Sequence, residues 1–366
     1  MESYFVSVQD SLAKNTLLDV AYIGNHGLKL QGFMNANQGN PALGLANPGN
    51  PTAGAGFVRP YPTWGGLVGT TYNYGDITEA FNGFYSHYDA LQVRYEQRFV
   101  DGLTLLNSFT WGHSLDNASA SLEGNTPSPQ NAYNLHADYS QSDYNLPVAN
   151  VTSLVYDLPV GHGREVLSSA SPLLDTLVGG WQISAVNTWQ GGTPFNITYT
   201  PNSANVVSPQ ISATYRGANE YRPNRVDGAD VQLCHSGHSC LKNINTANGS
   251  VQYVNYAAFT LPATKDANSN LLSPFGNAAR NPGRTPNFYE TDLDLNKRFA
   301  TPVDRLKIEF RAELYNVFNH TNLYLPAGGL GGTLSTATST NNPTTGGTVT
   351  GTFEPRIVQF GLKVVY

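Results

Sequence analysis

Five carboxylates are the first residues whose types and spacing could do chemistry: Glu290, Asp292, Asp294, Glu309 and Glu313. Two carboxyl groups that lie a few ångströms apart can act as general acid and general base in glycoside hydrolysis. The same residues also alternate with apolar ones and lie among basic side chains, as in a charge ladder along one face of paired strands. This regular alternation accounts for every member, so we interpret the set as a ladder and expect no enzymatic activity. Its members are Asp292, Asp294, Arg298, Lys307, Glu309, Arg311 and Glu313.

Two cysteines, Cys234 and Cys240, lie close together in a polar stretch that also contains His235 and His238. Thiolates and imidazoles could bind zinc, but the cysteines of zinc sites are usually closer in sequence. A disulfide that closes a loop in an oxidising compartment is the interpretation we favour. Two unpaired thiols remain a third alternative.

Other motifs point to no catalytic or cofactor-binding site. We find no serine in a G-x-S-x-G elbow, and the glycine-rich stretch 328–333 lacks the strand-to-helix context of a phosphate loop. The pairs Tyr215-Arg216 and Tyr221-Arg222 could stack on a ligand, although we interpret them as solvated loop residues. The net charge of −6, without a Lys/Arg cluster, argues against nucleic-acid binding. We therefore expect no cofactor and no nucleic-acid partner.

The composition excludes several classes of protein. Charged residues make up 13% of the 366 residues, and the chain contains 36 Gly, 22 Pro and 21 Tyr. Soluble domains carry about 25% charged residues, and coiled coils or disordered acidic chains carry more. No stretch approaches the roughly 18 consecutive apolar residues of a transmembrane helix, and the mean hydropathy is −0.30. A membrane role would therefore have to use alternating strands.

Alternation with a period of two is clearest near the end of the chain. In 306–314, every even position is apolar and every odd position is charged, which places the charges on one face of a strand. Residues 289–299 alternate in the same way, with Lys297 interrupting the apolar face. The two runs predict a hairpin. We expect Arg311 to lie near Asp294 and Glu309 near Arg298.

A second hairpin joins 91–99 to 103–111 through Asp101-Gly102, a strong turn signal. Weaker patterns predict strands at 3–9, 16–25, 150–158, 180–190 and 356–366. The sequence therefore predicts an all-β fold of about nine antiparallel strands.

The connections between these strands differ greatly in length. Strands 1, 3 and 7 are followed by short turns and strand 5 by a medium link. Four long connections cover about 26–85, 114–149, 196–287 and 320–352. Compact soluble domains rarely contain several loops of this length, whereas transmembrane barrels combine short periplasmic turns with long extracellular loops. We therefore predict part of a transmembrane β-barrel, with the charge ladder facing its lumen.

Aromatic placement also fits a barrel. Trp181 and Trp189 share one face of one strand. At about 3.3 Å per residue and about 40° tilt, they lie ~20 Å apart along the membrane normal, which is close to the height of the apolar band. Phe99 and Trp111 occupy opposite ends of the second hairpin in the same way. We predict that these four residues belong to two aromatic girdles. The alternative is that they are core aromatics of a soluble β-sandwich.

Four stretches of the chain resemble the barrel of bacterial TonB-dependent outer-membrane receptors, in particular the Oar-like subgroup. They are DVAYIGNHG (19–27), YDALQVRYEQRF with FTWGHSLD (88–99, 109–116), GGWQISAVNTWQGGTPF (179–195) and RAELYNVFNHTN (311–322). The last residues, 359–366, look like the signal that outer-membrane assembly machinery reads. Its positions are Phe360, Leu362, Val364 and Tyr366.

The resemblance implies a transport protein of the Gram-negative outer membrane. Residues 1–366 would be the C-terminal portion of its barrel, whose wall contacts lipid and whose loops capture an unknown ligand. The sequence lacks the family's export signal and plug, and nine strands are too few for a plugged barrel of about 22. We therefore expect an incomplete barrel that reaches TonB only through a missing plug region and transports nothing alone. The alternative is a secreted or surface β-sandwich that binds carbohydrate.

Overall fold

The computed structural model describes most of the chain. The described residues are 1–40, 77–100, 102–119, 129–199, 221–262 apart from 236, 245 and 247–248, 275–299, 306–323 and 351–366, together with residues 42, 59–61, 67–68, 71–72, 301, 332–334 and 347–349.

Nine long strands form one open antiparallel sheet, in which each strand pairs with its neighbours in the chain. They are β1 (Glu2–Ala13), β2 (Thr16–Asn35), β3 (Thr78–Val100), β4 (Leu103–Asp116), β5 (Val148–Asp157), β6 (Trp181–Gln190), β7 (Phe288–Phe299), β8 (Lys307–Tyr315) and β9 (Ile357–Val365). The strand Ser140–Gln141 adds to the end of β4. β1 and β9 form the two edges of the sheet. The predicted all-β fold of about nine antiparallel strands is confirmed.

Apolar pairing sets the register between β7 and β8. Leu293 lies opposite Leu314 and Phe299 opposite Ile308 on one face, and such pairs stabilise a sheet. On the other face Arg298 lies opposite Glu309, as we predicted. Arg311, however, lies opposite Asn296 and only diagonal to Asp294, whose partner is Glu313. Arg311 is nevertheless close enough to Asp294 to interact with its carboxylate, so the two residues are near each other as predicted, although they are not directly opposite.

β2 and β3 are much longer than the sequence pattern predicts. Their pairing continues to Asn35 and Thr78, through irregularities around Leu30, so both ends of the predicted loop 26–85 belong to the sheet. A Cβ at Gly32 would lie 2.3 Å from the ring of Phe84, a buried side chain. Glycine therefore permits this ring to cross the neighbouring strand. Irregular pairing disrupts the alternation on which the prediction depended.

Two of the turns opposite the long loops are tight, whereas the link between β5 and β6 is longer. Asn15 and Gly102 adopt positive φ of 65° and 77° in the β1–β2 and β3–β4 turns. The link between β5 and β6 contains a helix, α1 (Pro172–Val178), which begins after Ser171. The sequence pattern did not predict α1, because seven residues are too few to show helical periodicity.

The long loops carry short elements of their own. They are the helix α2 (Gly237–Cys240), the 3-10 helices Leu135–Asp138, Leu241–Asn243 and Tyr256–Ala258, and the strand pairs Leu67–Val68 with Thr71–Tyr72, Pro194–Phe195 with Gly283–Arg284, Ile197–Tyr199 with Gly332–Leu334, Asn224–Arg225 with Phe259–Thr260, and Val251–Gln252 with Thr348–Val349. Within the described ranges, no helix is both long enough and apolar enough to cross a membrane.

Candidate functional site

The buried hydrophobic side chains of the described residues cluster in the long loops rather than on the sheet. We call the described parts of the four connections 36–77, 117–147, 191–287 and 316–356 the cap, and number these loops one to four. The core of the cap comes from the third and fourth loops. Its members are Phe195, Ile197, Tyr199, Val231, Cys234, Cys240, Val251, Tyr253, Val254, Tyr256, Ala258, Phe259, Ala278, Leu323 and Val349. The described parts of these loops therefore contain a core like that of a small soluble domain.

A disulfide joins Cys234 to Cys240 inside this core. Both half-cystines are buried, at 4% and 0% exposed. With both sulfurs in the bond, no thiolate is left to bind a metal at this position. Among the described residues, no group of three or more His, Cys, Asp and Glu side chains is arranged to hold a metal ion.

Buried tyrosines support the core from within. Tyr253 is fully buried, and its hydroxyl donates to the Arg284 carbonyl at 2.6 Å. Burial raises the pKa of Tyr253 and of Tyr256 to about 12. The cause is desolvation, which disfavours the charged phenolate in a core that excludes water.

The third and fourth loops are held together by backbone pairing. Ile197–Tyr199 runs parallel to Gly332–Leu334, and Val251–Gln252 pairs with Thr348–Val349. The backbone N–H groups of Tyr253 and Val254 both donate to the Gly347 carbonyl, at 2.9 and 3.0 Å. These bonds join segments about a hundred residues apart into one folded unit.

Arg222 joins the third loop to the second, and it is only 3% exposed. Its Nη1 pairs with the Asp138 carboxylate, its Nε donates to the Ala278 carbonyl at 2.9 Å, and its Nη2 donates to the Ala137 carbonyl at 3.1 Å. Its backbone N–H donates to Gln130 Oε1 at 2.6 Å. Burial raises the pKa of the Asp138 carboxyl, while the adjacent guanidinium opposes that rise.

The expectation that Arg222 is a solvated loop residue is therefore wrong. Its neighbour Tyr221 is half-buried and its ring stacks on Phe275, with 6.2 Å between centroids. The companion pair Tyr215-Arg216 lies outside the described residues. Sequence reasoning singled out Tyr221-Arg222 by residue type but could not place their partners, which lie in other parts of the chain.

Two further arginines of the third loop make the same kind of connection. Arg280 pairs with Asp116 and Asp143, and its Nη1 donates to Ser119 Oγ at 2.6 Å. The Nη1 of Arg284 donates to the Asn145 carbonyl at 3.4 Å, and its Nη2 donates to Gln141 Oε1. These contacts hold the third loop against the second loop and against the end of β4.

The first loop is attached through Gln38, which is 2% exposed. Its side chain donates to Asn131 Oδ1 at 3.0 Å and accepts from the Ala132 N–H at 2.8 Å. Its carbonyl accepts from the Tyr133 hydroxyl at 2.8 Å. All four long loops are thus connected at one end of the sheet.

The predicted charge ladder lies on one face of β7 and β8. The strand register places Asp294 opposite Glu313 and Arg298 opposite Glu309. Arg311 lies between these two pairs, opposite Asn296. Lys307 and Asp292 share that face by alternation. Glu309 accepts from Arg311 Nη2 at 3.3 Å and from the Asn296 side chain. An open depression of about 160 Å³ on this part of the sheet is lined by Ser184, Val186, Asp292, Asp294, Glu313 and Tyr315, among others.

Three of the predicted girdle residues, Trp111, Trp181 and Trp189, lie on the opposite, apolar face. Trp189 stacks on Tyr289 at the loop end of the sheet, with 6.0 Å between centroids and 8° between planes. Trp181 lies at the turn end, opposite Lys297. Trp111 is 61% exposed on β4. The side chain of Phe99 lies outside those that the structure describes.

The predicted assembly signal lies on the edge strand β9 and just beyond it. Phe360 and Leu362 are each 70% exposed, Val364 is 52% exposed and Tyr366 is 98% exposed. Phe360 stacks on Phe310 of β8, with 6.1 Å between ring centroids. The four side chains are thus free to contact lipid or another protein.

The asparagines of the stretch 311–322 end β8 and attach it to its neighbours. Asn316 takes a positive φ of 49°, and its side chain accepts from the His320 N–H at 2.9 Å and donates to the His320 carbonyl at 2.9 Å. Asn322 accepts from the Tyr289 N–H at 2.9 Å and donates to its carbonyl at 2.7 Å. Asparagine suits both tasks, because it tolerates left-handed backbone and carries a donor and an acceptor.

An antiparallel sheet with one apolar face, short turns at one end and long loops at the other is the wall of an outer-membrane β-barrel. The sequence model of the family described as "Outer membrane beta barrel domain" matches residues 1–359. The chain therefore belongs to this family, and it is a protein of the outer membrane.

One similar solved structure is the outer membrane transporter YddB from Escherichia coli. It is 10% identical, with a TM-score of 0.41, over 99% of this chain and 32% of that chain. The chain thus spans about a third of the transporter's length. Nothing among the curated proteins matches the chain.

Proposed function

We propose that the chain is the C-terminal part of the β-barrel of a TonB-dependent outer-membrane receptor, of the Oar-like subgroup, which takes up a ligand from outside the cell. The observation that carries the proposal is the cap. Four long loops join at one end of the sheet into a unit with its own core and buried arginine contacts. A cap of this kind offers a fixed surface for recognition, which flexible loops would have to form at an entropic cost.

The sheet supplies the other parts of the proposed function. Its polar face, with Asp294, Glu309 and Arg311, would line the passage, and its apolar face would contact lipid. The edge strand β9 with Phe360, together with Tyr366 just beyond it, would be the part that the barrel-assembly machinery reads. TonB would act through a plug region outside this chain. None of these roles requires catalysis or a cofactor.

We do not favour a soluble carbohydrate-binding β-sandwich. In a sandwich, the apolar face of one sheet packs against the apolar face of a second. The other sheets among the described residues are two-stranded and belong to the loops. The buried core also lies in the cap rather than on the apolar face of the nine strands.

Uptake by cells with and without the gene tests the proposal. Three labelled probes, an oligopeptide, a malto-oligosaccharide and a ferric chelate, would be offered to both strains, with and without a protonophore. We expect at least one probe to lose its uptake both on deletion and on collapse of the proton gradient. Uptake that depends on the gene but not on the gradient would indicate a passive pore. Binding of a probe to a secreted, water-soluble form would support the sandwich.

A further inference from the structure

The helix α1, in the link between β5 and β6, exposes three leucines at the turn end of the sheet. Leu173, Leu174 and Leu177 are 79%, 40% and 66% exposed. Positions 173, 174 and 177 lie on one side of a helix. Val166 and Leu167 of the same link are also exposed, at 49% and 47%. A cluster of this kind on a membrane protein indicates contact with a partner or with lipid.

Asp175, on the other side of α1, is turned toward the link and closes it. Asp175 accepts from the His162 N–H at 2.6 Å, and the Thr176 hydroxyl donates to the Pro172 carbonyl at 2.8 Å. The Leu174 N–H donates to the hydroxyl of Ser171, at 3.4 Å. The polar residues of α1 therefore bond within the link, and the leucines face away from it.

The carboxyl end of α1 is fixed to the apolar face of the sheet. The Leu177 carbonyl accepts from Trp181 Nε1 at 2.9 Å. The Gly179 carbonyl accepts from Lys297 Nζ, and this ammonium lies 5.3 Å from the Trp181 ring centroid and 5.2 Å from that of Phe299. Lys297 is the basic residue that interrupts the apolar face of β7, and it is only 3% exposed.

Gly180 keeps the connection between α1 and β6 short. Its φ is +70°, and a Cβ there would lie 2.5 Å from the Arg298 carbonyl oxygen. The chain therefore passes from the leucine side of α1 to the lipid-facing girdle within a few residues. The exposed leucines continue the apolar face of the barrel wall at its turn end.

We propose that α1 is a membrane-surface anchor, which inserts Leu173, Leu174 and Leu177 into the phospholipid leaflet at the periplasmic side of the outer membrane. The exposed leucines are continuous with Trp181 and Lys297 on the apolar face of the sheet. This continuity favours lipid rather than a protein as the partner of α1. An amphipathic helix that lies in the interface buries its apolar side at the boundary of headgroups and acyl chains. Lys297, buried against the rings of Trp181 and Phe299, would hold the carboxyl end of α1 against the barrel wall through its bond to the Gly179 carbonyl.

Single cysteines labelled with the fluorophore NBD test this proposal. The variants are Leu173→Cys and Leu177→Cys, and the matched control is Glu165→Cys, an exposed polar position in the same link. The purified full-length protein would be placed in vesicles of phosphatidylethanolamine and phosphatidylglycerol, with and without brominated acyl chains. Heat-dependent migration in electrophoresis would select the folded fraction of each variant.

We expect a blue-shifted emission and at least a twofold loss of intensity with brominated lipid at positions 173 and 177, and neither change at 165. Equal spectra and equal quenching at all three positions would overturn the proposal. Blue-shifted emission at 173 and 177 without any bromolipid quenching would also overturn it, because it would show burial against a second copy or another protein. If Leu177→Cys fails to fold, the comparison of Leu173→Cys with the control decides the question, because position 173 is the more exposed of the two.

Discussion

The guanidinium of Arg222 in the third loop pairs with the carboxylate of Asp138 in the second, and each side chain is at most 4% exposed. The two residues are 84 positions apart. An ion pair so fully removed from water stabilises a structure only when the remaining donors and acceptors are satisfied. Arg222 meets this condition through the carbonyls of Ala137 and Ala278. The pair therefore fixes how the two loops meet.

Asp138→Ala should open the cap, because it leaves the buried Arg222 guanidinium without its counter-charge. Breaking a buried pair of this kind costs about 3–5 kcal/mol. We expect faster cleavage of the second and third loops by external protease, with an unchanged heat-dependent shift of the barrel. Asp227→Ala, at an exposed position of the third loop, is the matched control. Equal cleavage rates for both variants would show that the pair does not hold the loops.

Loss of the disulfide should loosen the third loop without unfolding the sheet. Cys234 and Cys240 are separated by six positions, and closing so short a loop stabilises by about 2 kcal/mol in the chain-entropy description. We expect external protease to cleave this loop faster in the double variant Cys234→Ser, Cys240→Ser than in the wild type. Reductant should have the same effect on the wild type. An effect of reductant on the double variant would point to a cause other than this bond.

Phe310 and Glu309 are neighbours in β8 on opposite faces, which makes them a matched pair for testing the orientation of the sheet. Phe310→Arg should block assembly, because an arginine facing lipid near the midplane costs about 2–4 kcal/mol. Glu309→Gln should be mild, since the amide can still accept from Arg311. The measurement is the folded fraction in heat-dependent electrophoresis of outer-membrane extracts. Normal assembly of Phe310→Arg would reverse our assignment of the two faces.

Tyr366 is 98% exposed, so its replacement should barely change the stability of the folded sheet. We nevertheless expect Tyr366→Ala to slow assembly several-fold, because recognition of the chain end by assembly machinery requires the aromatic ring rather than its packing. Lys363→Ala, on the same strand, is the control. Pulse-chase labelling followed by electrophoresis of unheated samples gives the assembly rate. If both variants assemble at the wild-type rate, β9 carries no such signal at this position.

The sheet could be predicted from the sequence because neighbouring residues of each strand alternate between its two faces, and their types show the environment of each face. In β8, Phe310 and Glu309 show by alternation alone that one face is apolar and the other polar. The cap could not be predicted in this way. Its core joins Phe195 to Val349 across about 150 positions with no repeating pattern, and Arg222 shows nothing in its neighbours that would identify Asp138 as its partner. Lys297 marked an irregularity of the apolar face, but only the structure shows that it reaches the end of α1.

The position of the core has a consequence for the order in which the protein forms. The strands exchange water for lipid, whereas the cap must exclude water by packing against itself. Phe195, Tyr253 and Val349 can meet only when the loops that carry them have reached the outer surface, since each loop is threaded between strands that cross the membrane. In the orientation we propose, we therefore expect insertion of the strands to precede closure of the cap. A chain that stopped between these two steps would have its strands inserted in the membrane, but its four long loops would not yet be packed together.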